Sequence, residues 1–109
     1  MILYHGSTVE IHDIDLNKSA RGKDFGKGFY LSENEKQAEE MAVFKSLQTD
    51  SKPIVNAFDF DERLLHDNSM KIRNIDTETF LKRLKYIKGI TFQYFFGTEK
   101  AIKHLKKLS

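Results

Sequence analysis

The residues best suited to chemistry in this sequence are four histidines, a glycine-rich stretch near residue 26 and a few polar residues set in apolar runs. A zinc site needs clustered ligands, whereas the histidines at positions 5, 12, 66 and 104 are dispersed and the chain has no cysteine. The stretch GKGFYL at residues 26–31 is neither a P-loop nor a dinucleotide fingerprint, and no GxSxG elbow is present. We therefore expect no metal site, and any bound NAD would be held without a Rossmann fold.

Three short segments carry the functional signal: LYHGS at residues 3–7, DFGKGFYLS at 24–32 and FQYFFGTEKA at 92–101. In this order they resemble the ADP-ribosyltransferases of the diphtheria-toxin and poly-ADP-ribose polymerase branch, whose three motif positions are His, Tyr and Glu. They resemble still more closely a family of small bacterial proteins with YHGS, DFGKGFYL and TEKA motifs. Residues 61–88 match poorly, so the chain looks like a shortened member.

The resemblance implies a pocket for NAD, which would be the substrate. His5 would hydrogen-bond the adenosine ribose, the backbone of Gly6 would hold the nicotinamide amide, and Tyr30 would stack on the nicotinamide ring. Ser7 and Gly28 would complete the cofactor-binding set, with glycine allowing the backbone to approach the ligand closely. The implied catalytic residues are His5, Tyr30 and the residue at the third motif position.

The third position decides the enzymology, and the polar interruption of the apolar strand assigns it to Gln93. Cleavage of the nicotinamide N-glycosidic bond creates an oxocarbenium-like ribose, which a nearby carboxylate stabilises in the transition state. Glutamine can orient a ribose hydroxyl but supplies neither negative charge nor a base. Glu99 is the nearest carboxylate in sequence, directly after Thr98, where an acid is expected for helix-dipole reasons.

Each of these residues also has a purely structural interpretation. Taken singly, His5 fits a turn histidine, Tyr30 a half-buried core aromatic and Glu99 a first-turn acid of a helix. Gln93 is the hardest to explain in this way, because an amide within an apolar strand needs hydrogen-bond partners. The matching order of the three segments favours the site interpretation.

The resemblance predicts an NAD-dependent mono-ADP-ribosyltransferase that passes ADP-ribose to a protein or nucleic-acid acceptor. Small bacterial relatives imply a toxin or effector, with a neutralising antitoxin protein as partner. Two alternatives remain open: a noncatalytic NAD-binding or protein-interaction module derived from the same fold, and an NAD glycohydrolase that uses water as acceptor.

The composition predicts one cytoplasmic domain over residues 1–109. Charged residues make up 31% of the chain with a net charge of +2, so charge alone implies no nucleic-acid partner. The apolar stretch at the N-terminus is only three residues long, too short for a signal peptide or a membrane span. Mixed strands and helices without a βαβ repeat predict an α+β class. The resemblance adds a compact ADP-ribosyltransferase-like fold with a mostly antiparallel split sheet and flanking helices.

Local patterns predict the individual elements. The N-terminal half is expected to contain a strand at 2–5, a loop over 8–27, a strand at 29–31, a helix from a Ser32–Glu35 capping box to about residue 47, and a strand at 53–60. The C-terminal half is expected to contain a short strand within 70–75, a helix from Asp76 or Thr77 to Gly89, a strand at 90–96, and a last helix after Thr98 carrying Ala101, Ile102, Leu105 and Leu108 on one face.

Overall fold

The structure is a computed structural model and describes residues 1–14, 28–75 and 93–108. The predicted helix between residues 76 and 89 and most of the predicted loop over 8–27 lie outside these ranges. The described elements are β1 (Ile2–Ser7), β2 (Phe29–Leu31), α1 (Glu35–Thr49), β3 (Ile54–Asp59), two 3-10 helices (Glu62–His66 and Asn68–Met70), β4 (Ile72–Ile75), β5 (Gln93–Phe96), α2 (Glu99–Ile102) and β6 (Lys106–Lys107).

The described strands form two antiparallel sheets of three strands each, in the orders β1-β3-β6 and β2-β5-β4. The prediction of an α+β class with mostly antiparallel pairing is confirmed. The core lies between the two sheets, where Leu3 and Phe58 of the first sheet face Phe29, Leu31 and Phe96 of the second. These side chains are almost fully buried, and burial of each large apolar side chain contributes about 1.5–3 kcal/mol.

The sequence of residues 53–60 predicts a strand with alternating faces, and β3 confirms this alternation. Asn56, Phe58 and Phe60 are buried, while Asp59 is exposed. The prediction that β1 ends at His5 was wrong. It continues to Ser7 because Gly6 and Ser7 still pair with Val55 and Ile54 of β3, a tertiary contact that outweighs the local turn signal.

The helix α1 packs on the first sheet through a narrow surface of small residues, chiefly Ala38 and Ala42. The predicted Ser32–Glu35 capping box was wrong. The N-cap is Asn34, whose side chain accepts from the backbone N–H of Gln37 at 3.3 Å, and the helix runs to Thr49. The sequence also predicts an imperfect apolar stripe on this helix, formed by Ala38, Met41, Ala42, Lys45 and Leu47. The stripe is wrong at its end, because Leu47 is 79% exposed.

The last helix was predicted too long. Thr98 is its N-cap as expected, and Ala101 and Ile102 are buried, but α2 ends at Ile102. The chain then turns into β6, where Lys106 and Lys107 pair with Asp59 and Phe58 of β3. Helical periodicity in this segment therefore gives way to completion of the first sheet.

Candidate functional site

In the part of the chain that the structure describes, one pair of backbone hydrogen bonds joins the two sheets. Tyr4 of β1 and Ser32, next to β2, exchange N–H to O bonds of 2.7 and 2.9 Å. Among the described residues, the two strands do not continue this ladder, although an antiparallel register would next bond Gly6 to Tyr30. We call the resulting gap between His5–Ser7 and Phe29–Leu31 the split.

If the ladder continued, the Tyr30 and Gly6 carbonyls would accept from the opposite strand, but here both are bonded to side chains. The Tyr30 carbonyl lies 2.7 Å from Nδ1 of His5, and the Gly6 carbonyl accepts from Nζ of Lys45 at 2.7 Å. Because Tyr4 bonds to Ser32 through both its N–H and its C=O, alternation along the strand turns the same groups of Gly6 toward the split. The split is therefore a backbone edge at which the Gly6 and Tyr30 carbonyls are bonded to side chains and the Gly6 N–H faces the gap.

His5 is held tightly in the split. It is 8% exposed, and its ring stacks on Phe29 with centroids 3.9 Å apart and an angle of 23° between the planes. A carbonyl oxygen only accepts hydrogen bonds, so Nδ1 must carry the proton in the bond to Tyr30. In the neutral imidazole the proton on Nδ1 leaves Nε2 as a hydrogen-bond acceptor. His5 in this tautomer can accept a hydrogen bond from a hydroxyl group.

Tyr30 lies on the face of the second sheet opposite the core. Its half-buried ring packs at 5.1 Å and 54° against Phe95, with which it is paired across β2 and β5. Burial raises the pKa of Tyr30 above its ordinary value, so the phenol stays protonated at neutral pH. Phe95 is 4% exposed and supports Tyr30 as an aromatic surface next to the split.

The two glycines assigned to ligand binding have packing roles. A Cβ on Gly6 would lie 2.1 Å from the backbone oxygen of Ala38, so the residue allows α1 to cross β1 closely. A Cβ on Gly28 would lie 2.0 Å from a ring carbon of Phe95. Sequence reasoning attributed both to ligand approach. The described contacts require glycine at position 6, where backbone is the obstruction, whereas at position 28 the obstruction is the Phe95 side chain.

The remaining predicted residues are Gln93, Glu99 and Ser7. Gln93 begins β5 and pairs with Ile75, and it lies one residue beyond Tyr94, the partner of Leu31 in β2. Its backbone is therefore near the point where the chain at Ser32 leaves β5 for β1.

Glu99 lies beyond the other end of β5, exposed in the first turn of α2. The hydroxyl of Ser7, at the end of β1, accepts from the backbone of Val9 at 3.4 Å. Of the predicted set, the structure thus brings together His5, Gly6 and Tyr30.

Sequence reasoning missed three residues of this site: Phe29, Lys45 and Phe95. Phe29 and Phe95 belong to apolar runs, where only the strand register distinguishes a core face from a site face. Lys45 did leave a signal, because it interrupts the apolar stripe of α1 with a charge and is half-buried. A cation in that position indicates a buried acceptor within reach of the helix.

A cavity of about 450 Å³ lies on the other face of the second sheet, the face that carries Tyr94. Its lining includes Glu33, Glu62, His66 and Tyr94, and none of the predicted site residues. The Tyr94 hydroxyl donates to Glu33 at 3.3 Å, and burial together with this carboxylate raises the pKa of Tyr94. The split is therefore an open edge and not part of this cavity.

Neither a metal centre nor a membrane span is visible in the ranges 1–14, 28–75 and 93–108. There, no three His, Asp or Glu side chains are grouped so that they could hold an ion. In the same ranges, no helix has both the length and the apolar character needed to cross a membrane.

The fold and the split define an α+β domain built from two small antiparallel sheets that meet at one bridge. A family model described as protein of unknown function (DUF3990) matches residues 1–78, and the chain belongs to this family. The match includes His5, Gly6 and Tyr30 and ends before Gln93. No curated protein and no solved structure shows significant similarity to the chain.

Proposed function

We propose that the chain is an NAD-dependent mono-ADP-ribosyltransferase that binds NAD in the split and passes ADP-ribose to a macromolecular acceptor. The observation that supports this proposal most directly is the bond from His5 to the Tyr30 carbonyl. It joins the first two motif positions across the gap between the sheets. The two positions are 25 residues apart in the sequence, and only the resemblance relates one to the other.

The split offers the groups that a nicotinamide needs. The N–H of Gly6 faces the gap and can donate to the carboxamide oxygen. The Tyr30 ring, supported by Phe95, provides an aromatic surface for the pyridine ring, and such stacking contributes about 0.5–1.5 kcal/mol beyond the burial of area. On this proposal the carboxamide sets the orientation and the aromatic pair excludes water.

His5 would bind the ribose through Nε2. With the proton on Nδ1, the neutral imidazole accepts a hydrogen bond from a ribose hydroxyl at Nε2. A net contribution of about 1 kcal/mol is expected for one such bond. The stack on Phe29 fixes the ring plane before the ligand arrives, which lowers the entropic cost of binding.

The transfer itself breaks the bond between the ribose C1′ and the nicotinamide nitrogen. The electron pair leaves with nicotinamide, the positive charge develops on the ribose ring, and a nucleophilic atom of the acceptor attacks C1′ and then loses its proton. Gln93 at the third position can orient the ribose but cannot offset that charge. This residue favours a second candidate function, a noncatalytic module that binds NAD and leaves it intact.

Calorimetric titration with NAD tests the binding step. We expect Tyr30→Ala to weaken NAD binding about tenfold, because it removes about 1–1.5 kcal/mol of stacking. Tyr94→Ala is the matched control, since this tyrosine lies on the opposite face of the same sheet. Equal affinities in wild type and Tyr30→Ala, with both variants folded, contradict an NAD site at the split.

Release of nicotinamide from NAD tests the chemistry. Release that is accompanied by label on a protein or nucleic acid supports the transferase, and release into water alone supports the NAD glycohydrolase. If wild type binds NAD without release while Gln93→Glu releases nicotinamide, the noncatalytic module is the correct function. An antitoxin partner is expected only if expression of the active chain slows bacterial growth.

A further inference from the structure

Lys45 makes a contact that the proposed reaction does not use. It lies one turn after Ala42 on α1, at the place where the helix crosses Gly6. Its ammonium donates to the Gly6 carbonyl at 2.7 Å, and the side chain is half-buried. The contact joins α1 to the edge of β1 that faces the split.

The ammonium replaces a missing ladder donor. If β1 and β2 continued their pairing, the Gly6 carbonyl would accept from the N–H of Tyr30. In the split it accepts from Lys45 instead, while the Tyr30 carbonyl accepts from His5. A backbone carbonyl away from its partner strand costs free energy if left unbonded, so the lysine stabilises the open edge.

A carboxamide carries one acceptor oxygen and one N–H₂ donor. On a strand edge these complement an adjacent backbone N–H and C=O, as a neighbouring strand would. At Gly6 the N–H faces the gap, but the C=O is already bonded to Lys45. A carboxamide that binds at this edge, as a strand would, therefore meets the ammonium at the Gly6 carbonyl, and it either displaces the ammonium or shares the oxygen, which has two lone pairs.

We propose that Lys45 is a placeholder: in the empty site its ammonium donates to the Gly6 carbonyl, and the N–H₂ group of a bound carboxamide displaces it there. The proposal rests on the proposed function and deepens it, because it makes Lys45 a positioning residue that limits carboxamide affinity. The ligand class is a planar aromatic carboxamide, and the displacement breaks only hydrogen bonds. The charge of Lys45 then remains beside the occupied split.

The test uses nicotinamide as the probe and compares wild type with Lys45→Met, which keeps a long apolar stem but cannot donate. We expect Lys45→Met to bind nicotinamide about threefold to tenfold more tightly, because the ligand no longer replaces a charge-assisted hydrogen bond. Lys36→Met, which removes an exposed charge from the same helix, should leave nicotinamide affinity unchanged. Lys45→Leu, which also lacks a donor, serves as a second variant with the same expected result if Lys45→Met does not fold.

An NMR measurement reports the contact without ligand. The Gly6 carbonyl and the Ser7 N–H share one peptide unit, so loss of the Lys45 bond should shift the Ser7 amide resonance. Lys45→Arg should keep both the resonance and the affinity near their wild-type values.

If wild type binds nicotinamide and Lys45→Met binds it equally or less tightly, the placeholder is wrong while the proposed function stands. If neither NAD nor nicotinamide binds wild type or any variant, the proposed function fails and the placeholder fails with it.

Discussion

Replacement of Gly6 by alanine should destabilise the protein by forcing α1 away from β1. The added Cβ would lie 2.1 Å from the Ala38 carbonyl oxygen and 2.7 Å from the Ala42 nitrogen. Comfortable contacts between such atoms are about 3.5 Å, so the helix must move on the order of 1 Å. Both obstructing atoms belong to the backbone of α1, and no side-chain rotation can relieve the contact.

The size of the effect follows from two opposing terms. Overpacking costs about 1–3 kcal/mol, and an obstruction by backbone belongs at the upper end of that range. Alanine also restricts the unfolded chain, which returns about 0.4–1 kcal/mol. We therefore expect Gly6→Ala to lower the free energy of unfolding by about 2 kcal/mol. For a domain of this size that loss corresponds to a fall of about 10 °C in Tm.

Urea unfolding followed by circular dichroism measures the change in the free energy of unfolding. Gly97→Ala is the matched control, because its Cβ would meet only the edge of the Phe95 ring at 2.9 Å, a side chain that can shift. The control should lose less than about 1 kcal/mol. If Gly6→Ala and Gly97→Ala unfold at the same urea concentration as wild type, α1 does not cross β1 as described.

Three further predictions concern stability and titration. Asn56→Ala should lower the free energy of unfolding by about 2 kcal/mol in urea, since the buried amide bonds the backbone of residues 9–11; an unchanged value would mean that the contact is dispensable. Hydrogen bonds from Arg63 lower the pKa of Asp61 from 3.8 to about 2, so carbon-13 NMR should find that low midpoint in wild type and a higher one in Arg63→Gln. Burial raises the pKa of Tyr30 above 10.0, so the folded state retains a proton that the unfolded chain releases. That stability is complete below pH 10.0 and is lost as the pH rises, and Tyr30→Phe should weaken the alkaline loss of stability in urea.

Local sequence patterns predicted the strands better than the ends of the helices. The alternation around Asn56 and Phe58 is a property of a single strand, and it appears unchanged in β3. Ser32 and Asn34 are both good N-cap residues, but the backbone of Ser32 is bonded to Tyr4, so Asn34 takes the cap. The choice depends on a strand that is distant in sequence, which no local pattern contains.

The motif residues of the candidate site were named from the sequence, whereas the residues that pack against and bond to them were not. The resemblance singled out His5 and Tyr30, and the structure brings them into contact. Phe95 and Lys45 act only through the strand register and the crossing of α1 over β1, which are tertiary features. Gly6 shows the converse error, because the sequence assigned it to ligand binding. Its close packing against α1 requires glycine there whether or not a ligand binds.

The two nitrogens of His5 separate its structural role from its proposed ribose contact. Nδ1 is bonded to the Tyr30 carbonyl, whereas the ribose would be bound by Nε2. An asparagine amide reaches about as far as Nδ1, and a glutamine amide about as far as Nε2. His5→Asn therefore keeps a donor for the carbonyl, and His5→Gln keeps a polar group where the ligand is expected.

If His5 both bonds the Tyr30 carbonyl and binds the ribose, one variant should mainly lose NAD affinity and the other should mainly lose stability. His5→Asn should lose about 1 kcal/mol of stability with the Phe29 stack and about tenfold in NAD affinity. His5→Gln should lose more stability, because the Tyr30 carbonyl loses its hydrogen bond to residue 5, and less of its affinity per folded molecule. If His5→Asn binds NAD as tightly as wild type, Nε2 makes no ligand contact. The role of His5 would then end at the Tyr30 carbonyl, and His5 would hold the split open without binding NAD.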